Sequence, residues 1–256
     1  MKVRYMSYNE WLERISWLAP IISLLFLWEV LAQLRIFPEY LFPSFVKTLF
    51  SGYLLLRDGT LLINLLASLV RVITGFLIGS FTGIVLGIVM GYRDTVYKTL
   101  HPIFSLLMPI PALGWLPLFI LWIGVNEALP ILLVFICSFF PVLYNTTSGI
   151  RSVDRRYVEM ARSLGASSRK AFIDIVLPLA LSSIFTGLRL EAGMAWRTIV
   201  AAEMIAIPVG IGALMITSQY LMRVDIIIVC LGVLASMTLI SEKVLMWMEK
   251  KTIKWR

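Results

Sequence analysis

The sequence contains few of the residues that build catalytic and metal-binding sites. Among 256 residues there is one histidine, His101, and there are two cysteines, Cys137 and Cys230. Both cysteines lie within apolar runs, which favours buried side chains over a disulfide framework or a metal site. The sequence has no H-E-x-x-H and no G-x-x-x-x-G-K pattern, and His101 has no matching serine motif. We therefore expect no catalytic residues, no metal site and no cofactor in this chain.

Charged residues are also scarce. They make up 15% of the chain, hydrophobic residues make up 59%, and the mean hydropathy is +0.89, whereas an average soluble domain is about 25% charged. The net charge of +8 is spread over short clusters between apolar runs. That pattern is typical of membrane topology signals and not of a nucleic-acid-binding surface. The composition predicts an all-α protein embedded in a lipid bilayer, with no nucleic acid partner.

The apolar runs predict about six transmembrane helices, because a helix needs about 20 residues to cross the hydrocarbon core. The predicted spans are 16–34, 62–91, 99–123, 128–148, 178–205 and 225–247. We divide the chain into three parts: an interfacial helix, first span and external loop (1–60), a core domain (61–247) and a basic tail (248–256). Sixteen lysines and arginines lie at the two ends and in alternate loops, against four in the other loops. The positive-inside rule therefore predicts that both termini are cytoplasmic.

Two of the predicted spans have unusual backbones. The second carries an i, i+4 ladder of glycines, which predicts close packing against another helix; its members are Gly75, Gly79, Gly83, Gly87 and Gly91. The third is interrupted by prolines, and broken helices within a membrane are tolerated where they are buried or line a water-filled cavity. Pro109, Pro111 and Trp115 are therefore candidates for the lining of a pathway, and plain kinked packing is the alternative.

The fifth span contains charges at membrane depth, where they are costly and often functional. Arg189, Trp196 and Glu203 lie seven residues apart, nearly two helical turns, and are expected to share a face. They are candidate pathway residues. The alternative is an internal ion pair or a hydrogen bond to a neighbouring helix. Weaker candidates are Arg71, Arg197, Glu29 and Glu191.

The loop at 151–178 predicts a short cytoplasmic helix. Asp154 is a good N-cap, and Gly165 suits the position after the helix end. Tyr157, Ala161 and Leu164 share an apolar face. Because a helix of about ten residues is marginal alone in water, it needs a docking surface, either on this chain or on a soluble partner.

This loop resembles the EAA loop of binding-protein-dependent ABC importer permeases: E-A-A, three residues, G, nine residues, I-x-L-P. The matching positions are Glu159, Met160, Ala161, Gly165, Ile175, Leu177 and Pro178. Met160 departs from the motif, which has alanine there. The chain is most similar to the nitrate/sulfonate/taurine branch, through SLVRVITGFLIG (68–79), PIPALGWLPLFILWIG (109–124) and GLRLEAGMAWRTIVAAEM (187–204).

The resemblance implies a MetI-like bundle in a prokaryotic plasma membrane, with a cytoplasmic coupling helix. The residues that it assigns to ATPase coupling are Tyr157, Glu159, Ala161, Arg162, Leu164, Gly165 and Ala166. It implies two ATPase subunits that bind ATP and Mg, a second permease chain forming a homodimer, and an extracytoplasmic solute-binding protein. The implied solute is a small oxyanion or sulfonate; a neutral heterocyclic vitamin or pyrimidine precursor is the alternative. An intramembrane enzyme and a secondary transporter are more distant alternatives.

Overall fold

The computed structural model describes residues 18–253, and all secondary structure within that range is helical. The helices are α1 Leu18–Gln33, α2 Phe45–Arg57, α3 Thr60–Tyr92, α4 Asp94–Leu107, α5 Leu116–Ile123, α6 Ala128–Arg151, α7 Arg155–Ser163, α8 Ser168–Ala171, α9 Leu177–Ala206, α10 Ile211–Tyr220 and α11 Val224–Thr252. A 3-10 turn (Ala112–Trp115) precedes α5, and a π-turn (Phe172–Val176) joins α8 to α9. The all-α prediction is confirmed. The predicted interfacial helix, within 1–15, lies outside the described residues.

The number of membrane spans is close to the predicted six. Four helices of the described range are long and apolar enough to cross a bilayer: α3, α6, the continuous stretch Ser168–Ala206, and α11. The count rises to five if α4 and Ala112–Ile123, two apolar pieces bent by 84°, are taken together as one broken span. The first predicted span is described from Leu18 onward, and that part is helical to Gln33 (α1). The count of six is therefore approximate.

The third predicted span is broken at its prolines. Helix α4 ends at Leu107, and Pro111 precedes the 3-10 turn with an extended backbone. Proline has no backbone N–H and fixes φ, so it favours such a break over a continuous helix. The exposed segment between the two pieces carries Pro109 and Pro111.

The centre of the bundle is α6, which lies between α3 and α9. The glycine ladder of α3 faces α6 along its whole length. A Cβ atom at Gly75, Gly79 or Gly83 would lie 2.6–2.8 Å from a backbone carbonyl oxygen of α6. At Gly87 and Gly91 it would lie 2.7 Å from the Cβ atoms of Thr146 and Ile150. Glycine therefore allows the two backbones to touch, in a place where any side chain would separate them.

The opposite side of α6 has its own close approach to α9. A Cβ atom at Gly149 would lie 2.5 Å from the Cβ of Ser183, and one at Gly187 would lie 2.9 Å from the Cβ of Asn145. These glycines are isolated in the sequence, so no ladder marks them. Two tight contacts thus fix α3, α6 and α9 relative to one another, and this packing holds the charged residues described below.

We expect Gly83→Leu to disrupt the α3–α6 contact. The new side chain meets the carbonyl oxygen of Phe139, and overpacking of this kind costs about 1–3 kcal/mol or more. Gly232→Leu is a matched control, because nothing lies within 4 Å of a Cβ at Gly232 in α11. The measurement is the thermal unfolding midpoint in detergent. Equal midpoints for the two variants would contradict the assignment of this ridge as a packing surface.

Candidate functional site

Two parts of the described structure have features that a simple helical bundle does not need. The first is the segment 151–178 at one end of the bundle. Helix α7 begins where the Asp154 side chain accepts a hydrogen bond from the backbone N–H of Arg156, and it is followed by Gly165 in the left-handed region (φ +86°). Both predicted caps are confirmed. A second cap follows, since the Ser167 hydroxyl accepts from the N–H of Lys170 at 3.3 Å.

The apolar side chains of α7 are divided between two directions. Val158 packs inward, against the core cluster that contains Ile150 and Val176. Tyr157, Met160 and Leu164 remain 53%, 62% and 84% exposed. A short, capped helix thus presents three apolar side chains that no described residue covers. Such a patch is typical of an interaction surface.

The other predicted coupling residues lie on the same short segment. Glu159, Arg162 and Gly165 are exposed, whereas Ala161 and Ala166 are half-buried. Arg162 donates a hydrogen bond to the Ser168 hydroxyl at 3.2 Å, which ties α7 to α8. The structure therefore brings the predicted coupling residues together, and their role stays a prediction.

The segment is anchored to the bundle through its first residue. Arg151 forms an ion pair with Asp94 at 2.7 Å, and its guanidinium lies 4.0 Å from the centre of the Tyr97 ring. At the other end of the segment, the Phe172 ring meets Tyr92 edge-on at 4.8 Å. Arg151 therefore links the start of the segment to α4, and the π-turn links its end to α9.

The second part is a buried charge cluster at the opposite end of the bundle. The Glu203 side chain is fully buried, and it accepts hydrogen bonds from Ser68 Oγ (2.8 Å) and the backbone N–H of Gly212 (3.0 Å). Arg71 Nη1 forms an ion pair with the same carboxylate at 2.7 Å. The three partners come from two elements: α3 provides Ser68 and Arg71, and α10 provides the N–H of Gly212. We name these residues, with Glu127, the Glu203 cluster.

Arg71 extends the cluster to the loop before α6. Its Nε and Nη2 atoms donate to the two carboxylate oxygens of Glu127, at 2.6 and 2.8 Å, and Nη1 also donates to the carbonyl of Val209 at 2.6 Å. Bidentate pairing of this kind is geometrically specific. Because the Glu127 side chain is 68% exposed, Arg71 connects the buried Glu203 to the surface of the bundle.

The turn before α10 is shaped by the same carboxylate. Gly210 has φ +144°, and a Cβ atom there would overlap the Glu203 carboxylate. The N–H of Gly210 donates to Asn64 Oδ1, and that of Ile211 donates to Ser68 Oγ, at 2.8 and 2.9 Å. The G-I-G sequence therefore allows the backbone to approach Glu203 closely.

The other predicted pathway residues of α9 meet different neighbours. Arg189 pairs with Glu249 at 3.2 Å, and the Trp196 indole donates to Ser241 Oγ at 3.0 Å; both partners belong to α11. Trp196 is buried. All three predicted residues thus have partners within the bundle. For Glu203, which is fully buried, this geometry favours an internal ion pair over a position in the pathway. In the broken span, Trp115 stacks on Phe119 at 6.1 Å.

Sequence reasoning ranked Arg71 low and did not consider Ser68 or Glu127. The available signal was Arg71 itself, a lone charge in an apolar helix, since such a residue needs a partner. Among the described residues there is no group of three or more acidic, histidine or cysteine side chains that could hold a metal ion.

A multi-pass helical bundle with charges in its interior and exposed apolar side chains on a short helix at one end is typical of a membrane transport component. Residues 79–254 match the family of binding-protein-dependent transport system inner membrane components, and the chain belongs to this family. It is thus an ABC importer permease, a non-catalytic subunit in systems where the ATPase is a separate chain.

Three relatives are ABC permeases, and the names of two of them, TauC and NrtB, support the branch that the sequence predicted. An ABC transporter permease protein of Methanocaldococcus jannaschii is 41% identical over 203 residues, which are 79% of this chain and 76% of that protein. The taurine transport system permease protein TauC of Escherichia coli is 33% identical over 91% of this chain and 86% of its own length. The nitrate import permease protein NrtB of Synechocystis is 41% identical over 60% of this chain and 56% of its own length.

Proposed function

We propose that two copies of this chain form the membrane pathway of an ATP-driven importer. A solute-binding protein outside the cell delivers the solute, and two cytoplasmic ATPase subunits, which bind ATP and Mg, drive its transport. The excess of lysine and arginine in the segments 92–98 and 149–177 supports an orientation with both termini cytoplasmic. In this orientation α7 faces the cytoplasm, and the Glu203 cluster lies near the outer surface.

The observation that carries the proposal is the exposed apolar face of α7. Tyr157, Met160 and Leu164 are uncovered, on a helix whose two ends are fixed by Asp154 and Gly165. An apolar surface that is held in one conformation suits a soluble partner, because little conformational entropy is lost when the partner binds. We assign this partner as the ATPase.

The names of the relatives support a small solute that carries an oxyanion or sulfonate group. TauC is named for taurine and NrtB for nitrate, and both compounds carry a negatively charged oxyanion or sulfonate group. A solute of this class needs a cationic group along its path, since an anion at membrane depth is costly without a partner.

We expect Leu164→Asp to weaken binding of the ATPase by about tenfold or more, because it places a charge in an interface that excludes water. Met248→Asp is a suitable control, since Met248 is also exposed (44%) and lies in the last turns of α11, on the same side of the membrane. The measurement is the amount of ATPase that co-purifies with the permease in detergent. Full co-purification with Leu164→Asp would overturn the assignment of α7 as the docking helix.

A further inference from the structure

Helix α9 has one exposed stripe in an otherwise well-covered surface. Leu190, Met194 and Ile205 are 59%, 43% and 63% exposed. Arg197 is exposed on the same stripe, and Ala201 is half-exposed between Arg197 and Ile205. These residues are separated by three or four positions, so they lie on one face of the helix. One continuous stripe of α9 is therefore not covered by other described residues.

Arg197 is the charged member of this stripe. It donates a hydrogen bond to Met194 Sδ at 3.7 Å, and no carboxylate of the described residues lies within 4 Å of it. It lies nine residues before the end of α9, about 14 Å along the axis at 1.5 Å per residue. A guanidinium at this depth is costly against lipid and typically faces water or protein. The stripe is therefore poorly suited to a lipid-facing position.

The stripe borders an open concavity of about 590 Å³ between α9 and α11. Four charged side chains line it: Arg189, Glu191, Arg197 and Glu242. The charge of Arg189 is balanced by Glu249 at 3.2 Å. Glu191 is buried, with its carboxylate 3.5 Å from Cys137 Sγ. Of these four, only Arg189 has an ion pair within 4 Å among the described residues, which leaves Arg197 as the one unpaired cation of the lining, with Glu191 and Glu242 as its acidic members.

The Glu242 carboxylate, on α11, lies beside Gly193 of α9, which is about one helical turn before Arg197. A Cβ atom at Gly193 would lie 3.3 Å from Glu242 Oε1, so glycine at this position makes room for the carboxylate. The negative charge of Glu242 disfavours an anion in the part of the concavity beside Gly193. The two charges together give the concavity a positive position near Arg197 and a negative one near Gly193.

We propose that the concavity is half of the solute pathway, closed by the same surface of a second copy, and that Arg197 is the residue that contacts the acidic group of the solute. This inference rests on the proposed function, and it deepens it by naming the residue. Arg197 is better suited than Arg189 to this contact, because Arg189 already has a carboxylate partner, whereas the Arg197 guanidinium is uncovered and faces the cavity.

The test measures the local electric field with thiol reagents, in full-length permease in membranes. The two native cysteines are first removed by Cys137→Ser and Cys230→Ala, and Met194→Cys then provides the one reactive thiol. The probes are two membrane-impermeant methanethiosulfonates, one with a sulfonate group and one with a trimethylammonium group. We expect both to react, and Arg197→Gln to lower the ratio of the sulfonate to the ammonium rate about fivefold, the effect of one unit charge within about 7 Å in an aqueous path. Arg189→Gln should change this ratio less.

Phe81→Cys serves as the control for exposure, since Phe81 is 70% exposed on the outer surface of α3 and is expected to face lipid. If Met194→Cys reacts no faster than Phe81→Cys, the stripe does not line a water-filled path, and the inference fails. If Arg197→Gln leaves the ratio unchanged, or Arg189→Gln lowers it more, Arg197 is not the solute contact. Both readouts need only the permease, so they stay interpretable if the ATPase does not bind and the proposed function itself fails.

Discussion

Glu203→Leu should destabilise the bundle by about 3–5 kcal/mol, the typical cost of removing one partner from a buried ion pair. Arg71, which is 4% exposed, would keep Glu127 but lose the inner carboxylate. Ser68 and the N–H of Gly212 would lose their acceptor at the same time. The measurement is the thermal unfolding midpoint of the purified permease in detergent.

Two variants make this result specific. The double variant Arg71→Met with Glu203→Leu should recover part of the lost stability, because it removes both buried charges instead of leaving one unpaired. Glu39→Gln should have no measurable effect, since Glu39 pairs with Lys47 in an exposed position. If Glu203→Leu unfolds at the wild-type temperature, the cluster does not hold α3, α9 and α10 together.

Gly165→Val should separate ATP hydrolysis from transport while leaving the membrane bundle intact. The φ of +86° is unfavourable for a residue with a side chain, by about 1–2 kcal/mol. Nothing lies within 4 Å of a Cβ at this position, so the cost arises from the backbone and not from a clash. The equilibrium constant for forming the turn that ends α7, in which the N–H of Ala166 donates to the carbonyl of Ala161 at 3.0 Å, would fall about tenfold.

We expect uptake per ATP hydrolysed to fall in Gly165→Val, by at most about tenfold, because the native turn becomes less stable relative to other conformations. Gly59→Val is a matched control: Gly59 has φ +79° and open space around its Cβ, but it precedes α3 at the other end of the bundle. Gly165→Asn should keep most of the coupling, because asparagine tolerates this conformation better than valine. Equal coupling in Gly165→Val and Gly59→Val would argue against a role for the α7 turn in transmission.

Features with short-range causes could be predicted from the sequence. Asp154 and Gly165 define the ends of α7 because capping involves residues within one or two turns of each other. The break of the third span follows from its prolines in the same way. The glycine ladder marks a close approach, although only the structure identifies α6 as the helix that it meets.

The Glu203 cluster could not be predicted from local patterns. Glu203 is 132 residues from Arg71 along the chain, and Arg71 is 56 residues from Glu127. Their pairing depends on how α3, α6 and α9 pack. That packing in turn depends on isolated contacts such as Gly149 against Ser183. The sequence indicated that the charges within the membrane need partners, but it did not indicate which partners.

The central claim, that this permease couples a delivered solute to a separate ATPase, is tested most directly in lipid vesicles that contain the permease, its ATPase and its solute-binding protein. The measurement is ATP hydrolysis with the binding protein empty or loaded with taurine, nitrate, an alkanesulfonate or a neutral pyrimidine. We predict stimulation of hydrolysis by one of the three solutes that carry a nitrate or sulfonate group. Stimulation by the pyrimidine alone would keep the importer but contradict the assigned anionic solute, and failure of any ATPase to associate with the permease would contradict the central claim.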